Sequence, residues 1–295
     1  MLLSVTHETR YLYNPPVEQA QHIAHLRPRD GGSQHLLQHA LTIDPGTASR
    51  HESTDVFGNH RTFFSLQSPH SQLTVRAHSV VRTGPAAGAP VLDTPWEDVR
   101  EMFRFHARLH YDAATEFVFD SPYVTRDPAF AAYAAPSFLP GRGLLAAALD
   151  LNARMFSEFR YDSTATDVGT PALLALQARQ GVCQDFAHIM LACLRSMGLP
   201  ARYVSGYLLT NPPPGQPRLV GADASHAWVS VYLPAAGWID LDPTNGRMAG
   251  EDYVCLGLGR DYFDVSPVRG VIHGGANHQL SVAVTVEPVP EGTAS

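Results

Sequence analysis

The sequence predicts an α+β protein in which a β-rich N-terminal region precedes a core built from a cysteine-bearing helix packed on an antiparallel sheet. Three patterns carry this. About the first 80 residues alternate in short runs broken by Asp, Gly, Pro and Ser clusters. Helical periodicity then takes over, and a β-branched, aromatic hairpin follows the best-defined helix.

In chain order, strands are expected over Leu2–His7, Leu36–Ile43, Arg61–Leu66 and Leu73–Val81. Gly84-Pro85-Ala86-Ala87-Gly88-Ala89-Pro90 reads as a linker. Thr94-Pro95-Trp96-Glu97 reads as a helix start, with Thr94 as N-cap and Pro95 at the first helical position. The expected division is therefore a β-rich domain over residues 1–85, a core over 86–290 that includes the C-terminal strands, and a disordered tail over 291–295. Within the core, Gly143–Phe159 carries an amphipathic stripe, and Thr170-Pro171 opens a short helix that ends near Gln180-Gly181. From Cys183 to Met197, the residues Phe186, Ile189, Met190, Cys193, Leu194 and Met197 fall on one helical face; Gly198 closes the helix and Pro200 prevents its return. Strands follow over Ala201–Leu209, His226–Leu233, Trp238–Asp242 and Gln279–Val286, with an exposed loop at Asn211–Gly215.

Composition narrows the function classes. The chain has 295 residues, 44% apolar and 17% charged, which suits a packed core rather than a disordered chain. All 21 basic residues are Arg, and a net charge of −7 leaves no basic surface for sequence-independent nucleic-acid binding. No apolar run approaches a membrane span, the N-terminus does not read as a signal peptide, and three cysteines form no disulfide framework. A cytoplasmic protein is the expectation.

The chemistry gathers around Cys183, which stands where a loop becomes a helix. Unpaired amides and partial positive charge at a helix N-terminus favour a thiolate and can stabilise an oxyanion. Cys193 lies on the apolar stripe, and Cys255 has no comparable setting. A thiolate needs a base and a carboxylate to orient that base. His226, Trp228, Ser230 and Tyr232 share one strand face; Trp238, Asp240 and Asp242 share the matching face of the return strand. A connection over residues 233–237 sets Trp228 opposite Asp242 and Ser230 opposite Asp240. His226 is then the diagonal neighbour of Asp242, roughly 7–8 Å away along the backbone. Asp240 lies one pair further on, although a bulge would exchange the two.

The motifs that carry this chemistry are GVCQDFAHIMLACLRSMGLPARYVSGYL and DASHAWVSVYLPAAGWIDLDPTNG. They resemble the core of the transglutaminase-like superfamily, and most of all its bacterial branch of candidate cysteine proteases. The N-terminal β unit is similar to the domain that precedes the core there, and RDYFDVSPVRGV to the branch's C-terminal signature. The resemblance implies a fold related to papain-like proteases, with nucleophile, base and orienting acid at Cys183, His226 and Asp242. It further implies thioester chemistry without a cofactor on a peptide or protein substrate, alongside amide-forming ligases. Hydrolysis of amide or peptide bonds is the first expectation; protein-glutamine transamidation and a non-catalytic binding scaffold are the alternatives.

Other residues admit two readings. The backbone amide of Gln184 is a candidate for the oxyanion pocket. Asp185 and His188 either support the site or satisfy nearby backbone, and Asp223 and Ser225 either shape the loop into His226 or serve as capping and turn residues. Trp228 and Trp238 either wall the cleft or pack on the strand face, and Tyr207 either reaches the site or belongs to the core. His22/His25 and His35/His39 have ligand-like spacing, but no zinc motif accompanies them, so no metal is expected.

Overall fold

The computed structural model describes residues 1–85, 93–104, 111–210 and 225–290. The expected exposed loop at Asn211–Gly215, Asp223, most of the linker and the 291–295 tail lie outside these residues. The chain begins with β1 (Leu2–Ala24), followed by β2 (Gln34–Asp44), β3 (Ser49–Thr54), β4 (His60–Leu66) and β5 (His70–Thr83). The long β1 is broken in register between Leu12 and Val17, where Pro15 and Pro16 supply no ladder donors. Its first half pairs with β5, from Leu2↔Arg82 to Leu12↔Gln72, and its second half with β4, from Ala20↔Leu66 to Ala24↔Thr62.

The core follows as α1 (Trp96–Met102), a 3-10 turn (Ala113–Val118), α2 (Pro128–Ala134), α3 (Leu144–Glu158), β6 (Arg160–Tyr161), α4 (Ala172–Ala178), β7 (Gln180–Gly181) and α5 (Cys183–Ser196). Then come β8 (Ala201–Leu208), β9 (Ser225–Leu233), β10 (Gly237–Asp242), β11 (Arg247–Met248), β12 (Tyr253–Gly259), α6 (Tyr262–Val265), β13 (Val268–Gly274) and β14 (Asn277–Pro288). The core sheet is ordered β11-β10-β9-β8-β12. Its Ala227, Val229, Val231, Ile239 and Leu241 face α5, whose Phe186, Ile189, Met190, Cys193 and Leu194 complete the same apolar cluster. Burial of α5 exceeds the expected stripe, because Ala187, Leu191 and Ala192 are covered as well. Near its C-terminal end, the buried Arg195 guanidinium donates to the carbonyls of Phe117, Ala201 and Arg260 and so binds three segments to the helix.

Two expectations are corrected. Thr94 caps no helix: its carbonyl accepts from Leu144 N at 2.8 Å and Pro95 bridges to Gly143, so α1 starts at Trp96 with Pro95 as a cap that makes no side-chain bond. The C-terminal strands do not join the core sheet. β13 pairs with the second half of β1 and β14 with its first half, from Leu3↔Pro288 to Asn14↔Asn277. Both edges of β1 thus find partners, which removes an exposed ladder. No described helix is long and apolar enough to cross a membrane.

Gly206 pairs with His226 on one side and Cys255 on the other, and a Cβ there would meet the Val254 carbonyl and the Trp228 ring. Gly206→Ala is expected to cost about 1–3 kcal/mol through overpacking, read as a lowered urea midpoint. An unchanged midpoint would mean that β8, β9 and β12 are less closely packed than described.

Candidate active site

The strand-to-helix turn at Cys183 is held by its neighbours. β7 lies parallel to β6, and Gly181 leaves it with φ +156°, a left-handed-region conformation that favours glycine. A side chain at Gly181 would also collide with the Asp185 carboxylate. Asp185, buried in the first turn of α5, reaches back to accept from Val182 N at 2.8 Å and Thr166 Oγ1 at 2.6 Å. Burial raises the Asp185 pKa, and these two hydrogen bonds only partly oppose it. The chain is thereby fixed so that Cys183 is the first helical residue and partly exposed. The amides of Cys183 and Gln184 have no acceptor within the helix, as for any helix start.

The hairpin has the expected register, with Asp240 opposite Ser230 and Leu241 opposite Val229. His226 Nε2 lies 2.7 Å from Asp242 Oδ2, whereas Asp240 accepts instead from Trp228 Nε1 at 3.1 Å. Asp242 is fully buried and saturated. Tyr253 OH and Asn245 Nδ2 donate to the same Oδ2 at 2.7 and 2.6 Å, while the amides of Thr244 and Asn245 donate to Oδ1 at 2.8 and 3.2 Å. Cys183 interacts with the same imidazole: its sulfur contributes to the proton affinity of His226, and its thiol points towards the Ser225 carbonyl, 4.0 Å away.

Electrostatics follow from this packing. Burial is the largest single effect on His226 and lowers its pKa, but hydrogen bonds and charge from Asp242 and Cys183 outweigh it, so the imidazolium is favoured beyond the ordinary 6.5. For Asp242, burial acts upward first and is overcome by His226, Asn245 and Tyr253, leaving the carboxyl below its ordinary 3.8. Asn245 and Tyr253 escaped the sequence reading. Asn245 sits in the turn just after the Asp-Pro-Thr motif, a place to look for a donor, whereas Tyr253 lies on β12 and is brought in only by sheet order.

The remaining expected residues separate. Gln184 turns its side chain to the Val168 carbonyl at 3.1 Å. Trp228 is 1% exposed and packs edge-on against Tyr253, beside the imidazole, so it supports the site from within rather than walling it. Trp238 is not at the site: it lies opposite Tyr232, towards the far end of the hairpin from His226, against Phe117 and Arg202. Tyr207 is also elsewhere, with its hydroxyl 3.0 Å from His7 Nδ1 at the junction with β1. Strand alternation points it away from His226. Burial lowers His188 to about 3, and its Nε2 accepts from Tyr262 N at 3.2 Å. The paired histidines part company too: His25 bonds the Ser266 carbonyl and His39 the Ser79 hydroxyl. Among the described residues no three His, Cys, Asp or Glu gather as metal ligands would. A sulfur at a helix start, an imidazole beside it and a carboxylate behind the imidazole can together perform thiol-based acyl transfer.

Comparison with known proteins bears on the family and the fold. Residues 3–82 match the bacterial transglutaminase-like N-terminal region, and residues 135–243 match the transglutaminase-like superfamily. An uncharacterized protein of Mycobacterium tuberculosis is 42% identical over 302 residues, spanning 98% of this chain and 93% of the relative. A protein-glutamine gamma-glutamyltransferase of Pseudomonas aeruginosa is 34% identical over 102 residues, 32% of this chain and 15% of that protein. The crystal structure of a candidate cysteine protease from Cytophaga hutchinsonii superposes with a TM-score of 0.74 at 20% identity, covering 97% of this chain and 90% of that one. That last likeness is one of fold.

The carboxylate assignment can be checked by NMR titration of His226. Asp242→Asn is expected to lower its midpoint by at least about one pH unit, because burial then prevails, whereas Asp240→Asn should leave it in place; equal drops would refute the register. Stability should follow. The raised His226 contributes fully below 6.5 and fades as pH climbs through its folded value, while the lowered Asp242 contributes fully above 3.8 and fades on acidification. The Tm gap between wild type and Asp242→Asn should therefore be widest between those two values and narrow on either side.

Proposed function

The chain belongs to the transglutaminase-like superfamily, and we propose that it hydrolyses amide or peptide bonds with Cys183 as nucleophile, His226 as general acid and base, and Asp242 as the group that orients the imidazole. The observation that carries this reading is the 2.7 Å His226–Asp242 contact together with the interaction of Cys183 with the same ring. In the forward step the sulfur attacks the carbonyl carbon, the carbonyl electrons move to oxygen, and the amides at the start of α5 receive the oxyanion. His226 protonates the departing amine, leaving a thioester on Cys183. Water, deprotonated by His226, then releases the acid and restores the thiol. No cofactor enters this scheme.

Hydrolysis is favoured over cross-linking because transamidation needs a site that holds an amine and excludes water, and no residue pattern marks one. Similarity to a protein-glutamine gamma-glutamyltransferase over 102 residues favours the second reading, transfer to an amine. The proposal includes a peptide or protein substrate produced alongside amide-forming ligases, and a cytoplasmic setting that keeps Cys183 free.

Incubating the protein with a glutamine-containing peptide, with and without a primary amine, separates the two chemistries by mass spectrometry. Free carboxylate is the expected product, and a thioester should be trapped on the Cys183 peptide. Amine incorporation in excess would establish transfer instead. Cys183→Ala should lose at least about 10³-fold in turnover, Asp242→Asn about 10³–10⁴-fold, and Asp240→Asn little. If iodoacetamide labels Cys183 no faster than an ordinary exposed thiol, a binding scaffold becomes the better reading.

A further inference from the structure

The face of the core sheet that turns away from α5 continues past His226 and Trp228 to Arg202, which lies opposite Ser230. Between this face and the N-terminal sheet is a cavity of about 790 Å³, with Phe57, Phe117, Trp238 and Arg202 among its walls. A second cavity of about 670 Å³ adjoins it and shares Arg202 and Trp238. Arg202 therefore stands where the two meet.

Its charge is poorly matched. The guanidinium carbon lies 4.0 Å over the Trp238 ring, which covers one face of the plane and leaves its edge for an acceptor. Its Nε is buried and has no hydrogen-bond partner among the described residues. Asp240, whose charge it feels, already accepts from the Trp228 indole. Burial lowers the Arg202 pKa to about 10, in keeping with a cation that is desolvated more than it is paired.

The surrounding wall is mixed in charge, with Arg61, Arg260 and Arg269 alongside Asp55, Asp112, Glu116 and Asp264. Arg61 and Arg269 bond neutral oxygens, the Ser53 hydroxyl at 2.9 Å and the Phe263 carbonyl at 2.7 Å. The carboxylates nearby are engaged: Asp55 by amides of its own turn, Asp112 by Ala114 N, Glu116 by the Tyr111 hydroxyl, and Asp264 by Arg260. The cavity thus presents the unpartnered edge of Arg202 beside an aromatic wall, at a junction between two domains of the kind where small-molecule sites commonly form.

We propose that this interdomain cavity binds a small organic anion, its carboxylate on Arg202 and its apolar body against the contiguous wall formed by Phe57, Phe117 and Trp238. The site is separate from Cys183. Arg202 pairs four residues along β9 from His226, roughly 13 Å, and the buried Trp228 lies in between. The inference therefore does not depend on the proposed hydrolysis.

Calorimetric titration of the full chain with phenylacetate tests it, with uncharged phenylethanol as the comparison. Saturable binding of phenylacetate is expected, with phenylethanol at least about tenfold weaker for want of a charged hydrogen-bond acceptor. Arg202→Gln should erase that preference while iodoacetamide labelling of Cys183 stays at the wild-type rate, which reports an intact fold. Absence of saturable phenylacetate binding, equal affinity for both probes in the wild type, or an undiminished preference in Arg202→Gln overturns the proposal. The wild-type comparison decides the matter even if the variant does not fold.

Discussion

A single buried charge organises the site. Asp242 is closed off from solvent, where an unpaired carboxylate would cost several kcal/mol. It is tolerated because five donors from four residues converge on its two oxygens: His226, Tyr253, Asn245 through side chain and backbone, and the Thr244 amide. Those donors come from β9, from β12 and from the turn after β10. Once buried, the carboxylate stays charged because all three segments supply donors, so closing the sheet over Asp242 and pairing it with the imidazole go together.

Asp185 shows what a smaller set of donors does. It is as deeply buried as Asp242, yet it accepts from only Val182 N and Thr166 Oγ1, and its pKa moves up rather than down. Its role is geometric. It fixes the turn from Gly181 into α5 and with it the position of Cys183. The two carboxylates therefore act on different members of the site, one by positioning the sulfur and the other by holding the charge that faces the imidazole.

The N-terminal sheet is not a loose attachment. Leu3, Val5 and Val81 pack with Tyr207, Val254 and Leu256 of the core and with Val284 and Val286 of β14. Asn59 exchanges hydrogen bonds with the backbone of Leu258, and Gln34 does the same with Cys255. Because β13 and β14 return to β1, the chain closes around this junction. A cavity at such a seam has walls fixed from both sides, which is the condition for a preformed site.

Much of this was legible from local pattern. The 3.6-residue stripe identified α5, the loop before it marked Cys183, and side-chain alternation with a short connection distinguished Asp242 from Asp240. These inferences succeed because helix period, strand parity and hairpin register are set by neighbours within a few residues. Trp238 and Tyr207 stayed open between site and packing for the converse reason: alternation says which face a side chain shares, but not how far along the sheet it lies or what covers it. The partners of Asp242 on β12, the capture of β13 and β14 by β1, and the unmatched guanidinium of Arg202 all depend on segments distant in sequence. Residues alone pointed to Cys183, His226 and Asp242 as a candidate set; only the packed structure decided what saturates that carboxylate and where the chain's ends go, because contacts of long sequence separation leave no period to read.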